Sequence, residues 1–355
     1  MNPPPRLSVA INNYNYGRFL GRAIESALNQ DYPHVDVVVV DDGSTDDSAE
    51  VMARYAGRIT AVHQANSGQA AALNSGFARC RGDVVVFLDA DDVLLPDIAG
   101  KVAAVFRDAP DCVRVQYRLA VVDADGVPTG ELVPAAYASM PSGDLRRALA
   151  TFNNYAWWPP MSGHAFSAKA LRRIMPMPEA RFRVAADYYL VRAATLCGPI
   201  RSLDDIGAHY RTHEANNYLR DSLDLAQVRL QIALINDTHD LLRQFAATIQ
   251  FDGFPACASD ALDLPFFALR MASLRLDPDG HPLAGDRVLR LAQRGALVAL
   301  GQTHRNVAYR SLAVAWFAAM IVSPSALARP LATWFFYPHQ RPRVVRPRPA
   351  SEGLS

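Results

Sequence analysis

Asp83-Val84-Val85-Val86-Phe87-Leu88-Asp89-Ala90-Asp91-Asp92 is the stretch that decides the fold. Four β-branched or aromatic residues followed by a leucine read as a strand buried on both faces of a parallel sheet. Three carboxylates arrive where that strand should end, and open α/β sheets place ligands at the carboxyl ends of their strands. Like charges this close repel one another, and a cation among them relieves the repulsion. Oxygen ligands of this kind suit a hard divalent ion, Mg²⁺ or Mn²⁺, itself matched to a phosphate-bearing substrate. A solvated acidic turn capping the next helix is the plainer reading of the same residues.

Upstream, Leu7 to Ile11 is a short apolar run that ends in Asn12-Asn13-Tyr14-Asn15-Tyr16. Phe19, Leu20, Ala23, Ile24, Ala27 and Leu28 then recur at helical spacing. Val35 to Val40 is a second buried strand, closed by Asp41-Asp42-Gly43-Ser44-Thr45-Asp46. A helix is expected from Ser48 to Tyr55 with Asp46 or Asp47 as N-cap, then a strand from Ile59 to His63. A loop at Asn66-Ser67-Gly68 leads into a helix from Gln69 to Ala78. The alternation β-α-β-α-β-α-β predicts a doubly wound, mostly parallel sheet with right-handed crossovers. Two strands ending in acidic clusters point at one shared crevice.

Taken together, Ser8 to Asn15, the strand ending Asp41-Asp42-Gly43-Ser44-Thr45-Asp46, the segment Asn66 to Gly76 and Phe87 to Asp92 resemble the nucleotide-sugar half of family 2 glycosyltransferases of the GT-A fold. The resemblance implies that Asp41 reads the base edge of a nucleotide while Asn12 and the neighbouring backbone line its pocket. It implies that Asp89 and Asp91 hold the ribose and a metal-diphosphate, the metal being Mn²⁺ or Mg²⁺. The donor-binding set carried over is Asn12, Tyr14, Asp41, Asp42, Gly43, Ser44, Asn66, Gly68, Gln69, Asn74, Asp89 and Ala90. Many members carry an arginine immediately before the Asn74 position, where this chain has Leu73; Arg79 or Arg81 are the nearby substitutes. The chemistry agrees. An Asp beside a uracil-type ring accepts its imide N–H, and a divalent ion stabilises charge developing on a leaving diphosphate.

The acceptor side is expected further on. A strand from Val113 to Val122 turns at Asp123-Ala124-Asp125-Gly126 into a hairpin, and a helix runs from about Asp144 to Phe152. Trp157 and Trp158 either stack on sugar rings or fill core. Met161 to Phe166 resembles the family's acceptor segment, and Phe182 to Leu190 its catalytic-base segment. Relatives carry an acidic pair there, whereas this chain has Ala186 before a lone Asp187, the candidate base; an N-cap role for Asp187 is the bland alternative. His209 to Asn217 resembles the closing motif, in which His213 fits the place of a further metal ligand better than His209.

Composition bounds the rest. The chain has 355 residues, half of them hydrophobic, and a net charge of +1, which offers nucleic acid no global attraction. Four scattered cysteines without a C-x-x-C pair, and no apolar leader, read as a reduced, cytoplasmic protein. Beyond Tyr218 the pattern is helical: about 222–249, 262–274 and 287–300. Leu312 to Val322 is apolar but too short to span a bilayer, and Trp334-Phe335-Phe336-Tyr337 precedes Arg341, Arg343, Arg346 and Arg348. Aromatics beside a basic cluster suit an in-plane contact with the inner face of the membrane; a core helix before a disordered tail is the alternative. The expected division is a transferase domain over 1–218, a helical region over 219–337 and a basic tail over 338–355.

Three function classes accommodate these residues. The favoured one is a metal-dependent, inverting glycosyltransferase taking a nucleoside-diphosphate sugar, such as a UDP-sugar, to a saccharide or lipid-linked acceptor in envelope polysaccharide synthesis, acting alone or as an oligomer. Leu88 to Val93 also matches the D-x-D-x-V strand end of haloacid-dehalogenase-type phosphatases. Ala186 makes a catalytically inactive nucleotide-sugar-binding protein thinkable.

Overall fold

The computed structural model describes residues 3–151, 158–214, 223–255, 264–301 and 306–337. Among these, the first half builds its sheet outward from one central strand. β1 (Leu7–Asn13) lies parallel between β2 (Val35–Asp41) and β4 (Val84–Asp89), and β3 (Thr60–His63) adds parallel to β2. Between them run α1 (Gly17–Leu28), α2 (Ser48–Ala53) and α3 (Gln69–Arg79). α1 buries Phe19, Leu20, Ala23, Ile24 and Ala27, the stripe that its helical spacing defines. Leu7, Val9, Ile11, Val37, Val39, Val84, Val86 and Leu88 supply the facing layer of the core. β1, β2 and β4 are largely buried and therefore read as apolar runs, whereas the edge strand β3 is mostly exposed.

Beyond β4 the sheet becomes mixed. β5 (Val93–Leu94), α4 (Ile98–Asp108), β6 (Arg114–Val122), β7 (Pro128–Val133) and α5 (Arg146–Thr151) follow. A 3₁₀ turn at Met161–Gly163 leads to β8 (His164–Ser167), then α6 (Ala168–Ile174), α7 (Ala186–Leu196) and β9 (Ile200–Arg211). The strand order is β3-β2-β1-β4-β8-β6-β9-β5, with β7 paired to β6. β8 enters antiparallel between β4 and β6, while β6 and β9 are parallel. The hairpin expected after Val122 is present. Helix α4, strand β8 and the long strand β9 were not anticipated. Phe152 and Trp157 lie outside the described residues, as do Cys257 and the tail from 338 onward.

The helical region comprises α8 (Leu225–Thr248), α9 (Leu264–Leu276), α10 (Val288–Gly301), α11 (Val307–Val322) and α12 (Ser325–Phe336). By compactness the chain separates into Met1–Asn216 with Thr238–Ala261, and Asn217–Asp237 with Leu262–Ser355. The second unit has its own core of Leu264, Phe267, Met271, Leu291, Trp316, Phe317 and Met320. Phe335 and Phe336 pack on Trp316, with ring centroids 4.4 and 6.4 Å away, and the indole Nε1 donates to the Leu331 carbonyl at 2.8 Å. These tail aromatics are thus part of a core. Arg270 donates two hydrogen bonds to Asp286, which also meets His281 Nε2 at 2.9 Å. Burial pushes the Asp286 carboxyl up, but the bonds from Arg270 and His281 outweigh it and hold it below the usual carboxylate range. No helix among the described residues is long and apolar enough to cross a membrane.

Candidate active site

Strand register assembles the site. Pairing of β1 with its two neighbours sets Asn12 opposite Asp89 and Asn13 opposite Asp41, all at the carboxyl ends of the strands. Asn12 Nδ2 donates to Asp89 Oδ1 at 2.9 Å, and Asn13 Nδ2 to Asp41 Oδ1 at 3.1 Å. Asp41 is buried and has His63 Nδ1 at 3.6 Å across the β2–β3 pair. Ser44 Oγ accepts from Asn13 Nδ2 and from the Asn15 N–H, at 3.1 and 2.8 Å. Tyr14 is 47% exposed beside them. The first-turn bond of α2 comes from Asp46, whose Oδ1 accepts from Ser48 N at 3.0 Å.

Two residues of the carried-over set turn out to hold loops. Both oxygens of Asp42 are taken: Oδ1 accepts from Gln64 Nε2 and Ser67 N, and Oδ2 from Gly68 N, at 2.7 to 2.9 Å. Asn74 exchanges bonds with the Met177 backbone at 2.8 and 3.0 Å and donates to Glu179. The two glycines are sterically required. A Cβ on Gly43, at φ +75°, would sit 2.6 Å from the Asn66 nitrogen. One on Gly68, at φ +93°, would sit 2.6 Å from Arg183 Cα.

The acidic turn is a charge concentration inside protein. Asp92 is buried, with Oδ1 accepting from Arg211 N at 2.9 Å, and Arg211 Nε binds the Asp91 carbonyl at 2.9 Å. The end of β9 thereby locks the turn. Ala90, also buried, donates its N–H to the Asn12 carbonyl, and Ser162 Oγ accepts the Asp89 N–H at 3.1 Å. His213 Nε2 lies 3.1 Å from Asp91 Oδ2, its ring set against Tyr16 and Phe19. His209 is in β9, paired with Val93. Burial, and then repulsion from Asp91, pushes the Asp89 carboxyl up to about 7; burial and the same neighbours raise Asp92 well above its ordinary value. Burial and the charges of Asp91 and Asp89 push the Tyr16 phenol up to about 12.

The segment before α7 closes over this cluster. Gln69 N and Ala70 N, at the start of α3, donate to the Arg183 and Phe182 carbonyls at 2.9 and 3.0 Å. The Gln69 side chain joins both sides: its Oε1 accepts the Ala186 N–H at 2.9 Å and its amide hydrogen-bonds Asp89. Asp187, one residue into α7, is close enough for its charge to raise Asp89 further. Ala185, with φ +59°, is the residue that caps α7, so Asp187 does not hold that place. Asp187 is surrounded by protein, and burial raises its carboxyl, partly offset by the Tyr188 N–H and by Arg192. Sequence reasoning missed one residue here, Arg183, whose Nη2 donates to Asn66 Oδ1 at 2.7 Å. It faces no carboxylate among the described residues. Leu73 is buried. Arg79 ends α3 and Arg81 donates its N–H to Ser8 near the start of β1, at the opposite edge of the sheet, so neither replaces the missing arginine.

Among the described residues no three His, Cys, Asp or Glu side chains already converge as a metal cage. Trp158 stacks under buried Arg114, 4.3 Å from ring centroid to guanidinium carbon. His164 accepts from Arg114 through Nδ1 at 2.8 Å and meets the Pro159 carbonyl through Nε2 at 3.0 Å. Burial, then the Arg114 charge, lowers its pKa well below the ordinary value, so it is neutral. Together these residues pin the segment that carries Ser162.

A β-α-β half-sheet with acidic strand ends, closed over by the segment that carries Asp187, is the architecture that the comparisons place in a family. The family model described as glycosyl transferase family 2 matches residues 8–125. An uncharacterized glycosyltransferase of Nostoc sp. is 36% identical over 220 residues, 60% of this chain and 67% of that protein. Chondroitin synthase of Escherichia coli is 40% identical over 96 residues, 26% of this chain and 14% of that protein. The crystal structure of S. aureus TarS residues 1–349 in complex with UDP-GlcNAc superposes with a TM-score of 0.54 at 16% identity, covering 93% of this chain and 91% of that one. The chain belongs to glycosyltransferase family 2 and is a glycosyltransferase with the GT-A fold. The phosphatase alternative falls with this finding. Its lysine is also lacking: Lys101 pairs with Asp97 and Asp205 at the surface, and Lys169 is exposed on α6.

Proposed function

We propose that this glycosyltransferase is metal-dependent and inverting, and moves a sugar from a nucleoside diphosphate to a saccharide or lipid-linked hydroxyl. The observation that carries this reading is the gathering of Asp41, Asp89, Asp91 and Asp187 at the ends of β2, β4 and α7, with Asp187 and Asp89 in mutual electrostatic reach. Asp41, held by Asn13, is the acceptor for a base-edge N–H, and Asn12, Tyr14, Gly43 and Ser44 wall the pocket beside it. Asp42 and Asn74 contribute by shaping the Asn66–Gln69 loop and the 177–179 segment.

A divalent cation fits the turn. Burial and the Asp91 charge hold the Asp89 carboxyl above its ordinary value, and the Asn12 Oδ1 beside it is buried with no hydrogen-bond partner. Mn²⁺ or Mg²⁺ held by Asp91 and Asp89, with His213 adjacent, would be completed by substrate phosphate oxygens, the usual pattern for an ion that binds through one or two carboxylates. When bound, the ion supplies charge stabilisation to the departing diphosphate. The chain's own residues do the rest. Asp187 accepts the proton of the acceptor hydroxyl, whose oxygen bonds to the anomeric carbon from the face opposite the diphosphate. The bond from that carbon to the diphosphate oxygen breaks, and Arg183 meets the charge released.

Calorimetric titration with UDP-, GDP- and dTDP-sugars in Mn²⁺ tests the donor class, with UDP-GlcNAc, the ligand of the TarS complex, tried first. Failure of all of them to bind would overturn the nucleotide-sugar reading. Arg183→Ala should weaken UDP by about 10- to 100-fold, the worth of a hydrogen bond to a charged group, and leave uridine unchanged. An equal loss for uridine and UDP would remove the diphosphate from Arg183.

A further inference from the structure

The charge of this chain is strongly asymmetric. From Arg287 to Ala350 there are ten arginines and not one Asp, Glu or Lys, although the whole chain carries only +1; Arg305, Arg341, Arg343, Arg346 and Arg348 lie outside the described residues. That stretch includes α10, α11 and α12, and the same helices hold large apolar side chains out in solvent. Leu289, Leu297 and Leu300 on α10 are 62%, 69% and 53% exposed; Val307 and Val322 on α11 are 66% and 81% exposed. On each helix these lie opposite the buried stripe: Leu291, Ala292, Gly295, Val298 and Ala299 on α10, and Ala313, Trp316, Phe317 and Met320 on α11. Leu327 on α12 is 56% exposed, next but one to exposed Arg329. Ordinary surface helices put polar residues in these places.

We propose that the outward faces of α10 to α12 dock in the plane of an anionic lipid bilayer. Leucine and valine side chains enter the acyl boundary, while exposed Arg290 on α10 and Arg329 on α12, with long apolar stems and charged heads, reach the headgroup phosphates. A second copy of the chain is the poorer occupant, because α10 to α12 carry no Asp or Glu that could meet Arg290 and Arg329 of its like. Nucleic acid matches the charge but gives exposed leucines nothing to enter. Insertion across the bilayer is excluded for α11 by length, since 16 residues rise about 24 Å against a hydrocarbon core of about 30 Å. The aromatics Phe335 and Phe336 are not the anchors, being packed on Trp316. This surface stands on charge and exposure alone and is independent of the donor and metal assignments.

Co-sedimentation of the full chain with vesicles is the test. Phosphatidylcholine vesicles containing a third phosphatidylglycerol should carry the protein down, and pure phosphatidylcholine vesicles should not. Raising salt should release it, since headgroup attraction is screened. Leu297→Asp with Leu300→Asp alters only exposed positions, so melting temperature should hold while vesicle affinity falls by roughly tenfold or more. Equal recovery with both vesicle types would overturn the proposal. So would a dimer that the double variant dissolves without any vesicle capture. Vesicle binding that survives the double variant but disappears on truncation after Tyr337 would assign the contact to the tail and overturn it for the helices.

Discussion

Asp187→Asn should leave the protein folded and able to bind donor, and should lower turnover by roughly 10²–10⁴-fold, the usual worth of a positioned general base. The residue is already inside the first turn of α7, with Ala185 in the cap position, so its replacement does not remove a helix cap. Its Oδ1 accepts the neighbouring Tyr188 N–H at 2.8 Å, and an asparagine oxygen can do the same. What the amide cannot do is take a proton. Burial raises the Asp187 carboxyl above its ordinary value, which makes the ionised form a stronger base than a solvated carboxylate. The measurement is kcat with the true acceptor at saturating donor, beside a donor titration. A variant that keeps most of its turnover would transfer the role of base to another group. A variant that loses donor affinity in the same proportion would make Asp187 a donor-site residue instead.

Asp91→Ala should lower Mn²⁺- or Mg²⁺-dependent turnover by about 10³-fold or more, since metal stabilisation of a leaving diphosphate is worth several kcal/mol. EDTA should reproduce the loss in the unaltered protein. The fold should survive, because Asp91 is partly exposed at a turn and His213 remains wedged between Tyr16 and Phe19. Asp89→Asn gives the companion result in EDTA. The Asp89 carboxyl has a folded-state pKa of about 7 against an unfolded value near 4, so the folded chain binds the extra proton between these values and loses stability as pH rises through that window. Removing the charge should therefore raise the melting temperature at pH 8, with the gain shrinking toward pH 4. Full activity in EDTA would sink the metal assignment. A stability gain that does not depend on pH would sink the electrostatic account of Asp89.

The carboxylates at the strand ends were legible because strand register is local information: runs of equal character, ended by Asn12-Asn13, Asp41-Asp42 and Asp89, can pair in parallel only with those ends together. Helix α4 was not anticipated, although Ile98, Ala99, Val102 and Ala103 recur at helical spacing. Strand β9 hides its type, because Asp204 and Asp205 interrupt its apolar alternation. β8 has only four residues, too few for a period. The contacts of Gln69 with Ala186 and of Arg183 with Asn66 join positions 117 residues apart, and no spacing rule foretells them. Nor does local composition separate an aromatic that fills a core from one that meets lipid. Phe335 and Phe336 show the difference only once Trp316 is beside them.

The bonds from α3 to residues 182, 183 and 186 bear on how such an enzyme can be re-engineered. Loops that select acceptors are attractive parts to exchange between related transferases, on the assumption that each brings its specificity with it. In this chain the segment before α7 also carries Arg183, the backbone that fits over Gly68, and the amide that orients Gln69. With the roles proposed for Arg183 and Asp187, a graft ending at Asp187 would change the grip on the donor together with the choice of acceptor. Selection on a new acceptor would thus act on both substrates at once, and a transplanted segment would need its matching Asn66-Ser67-Gly68-Gln69 loop to travel with it.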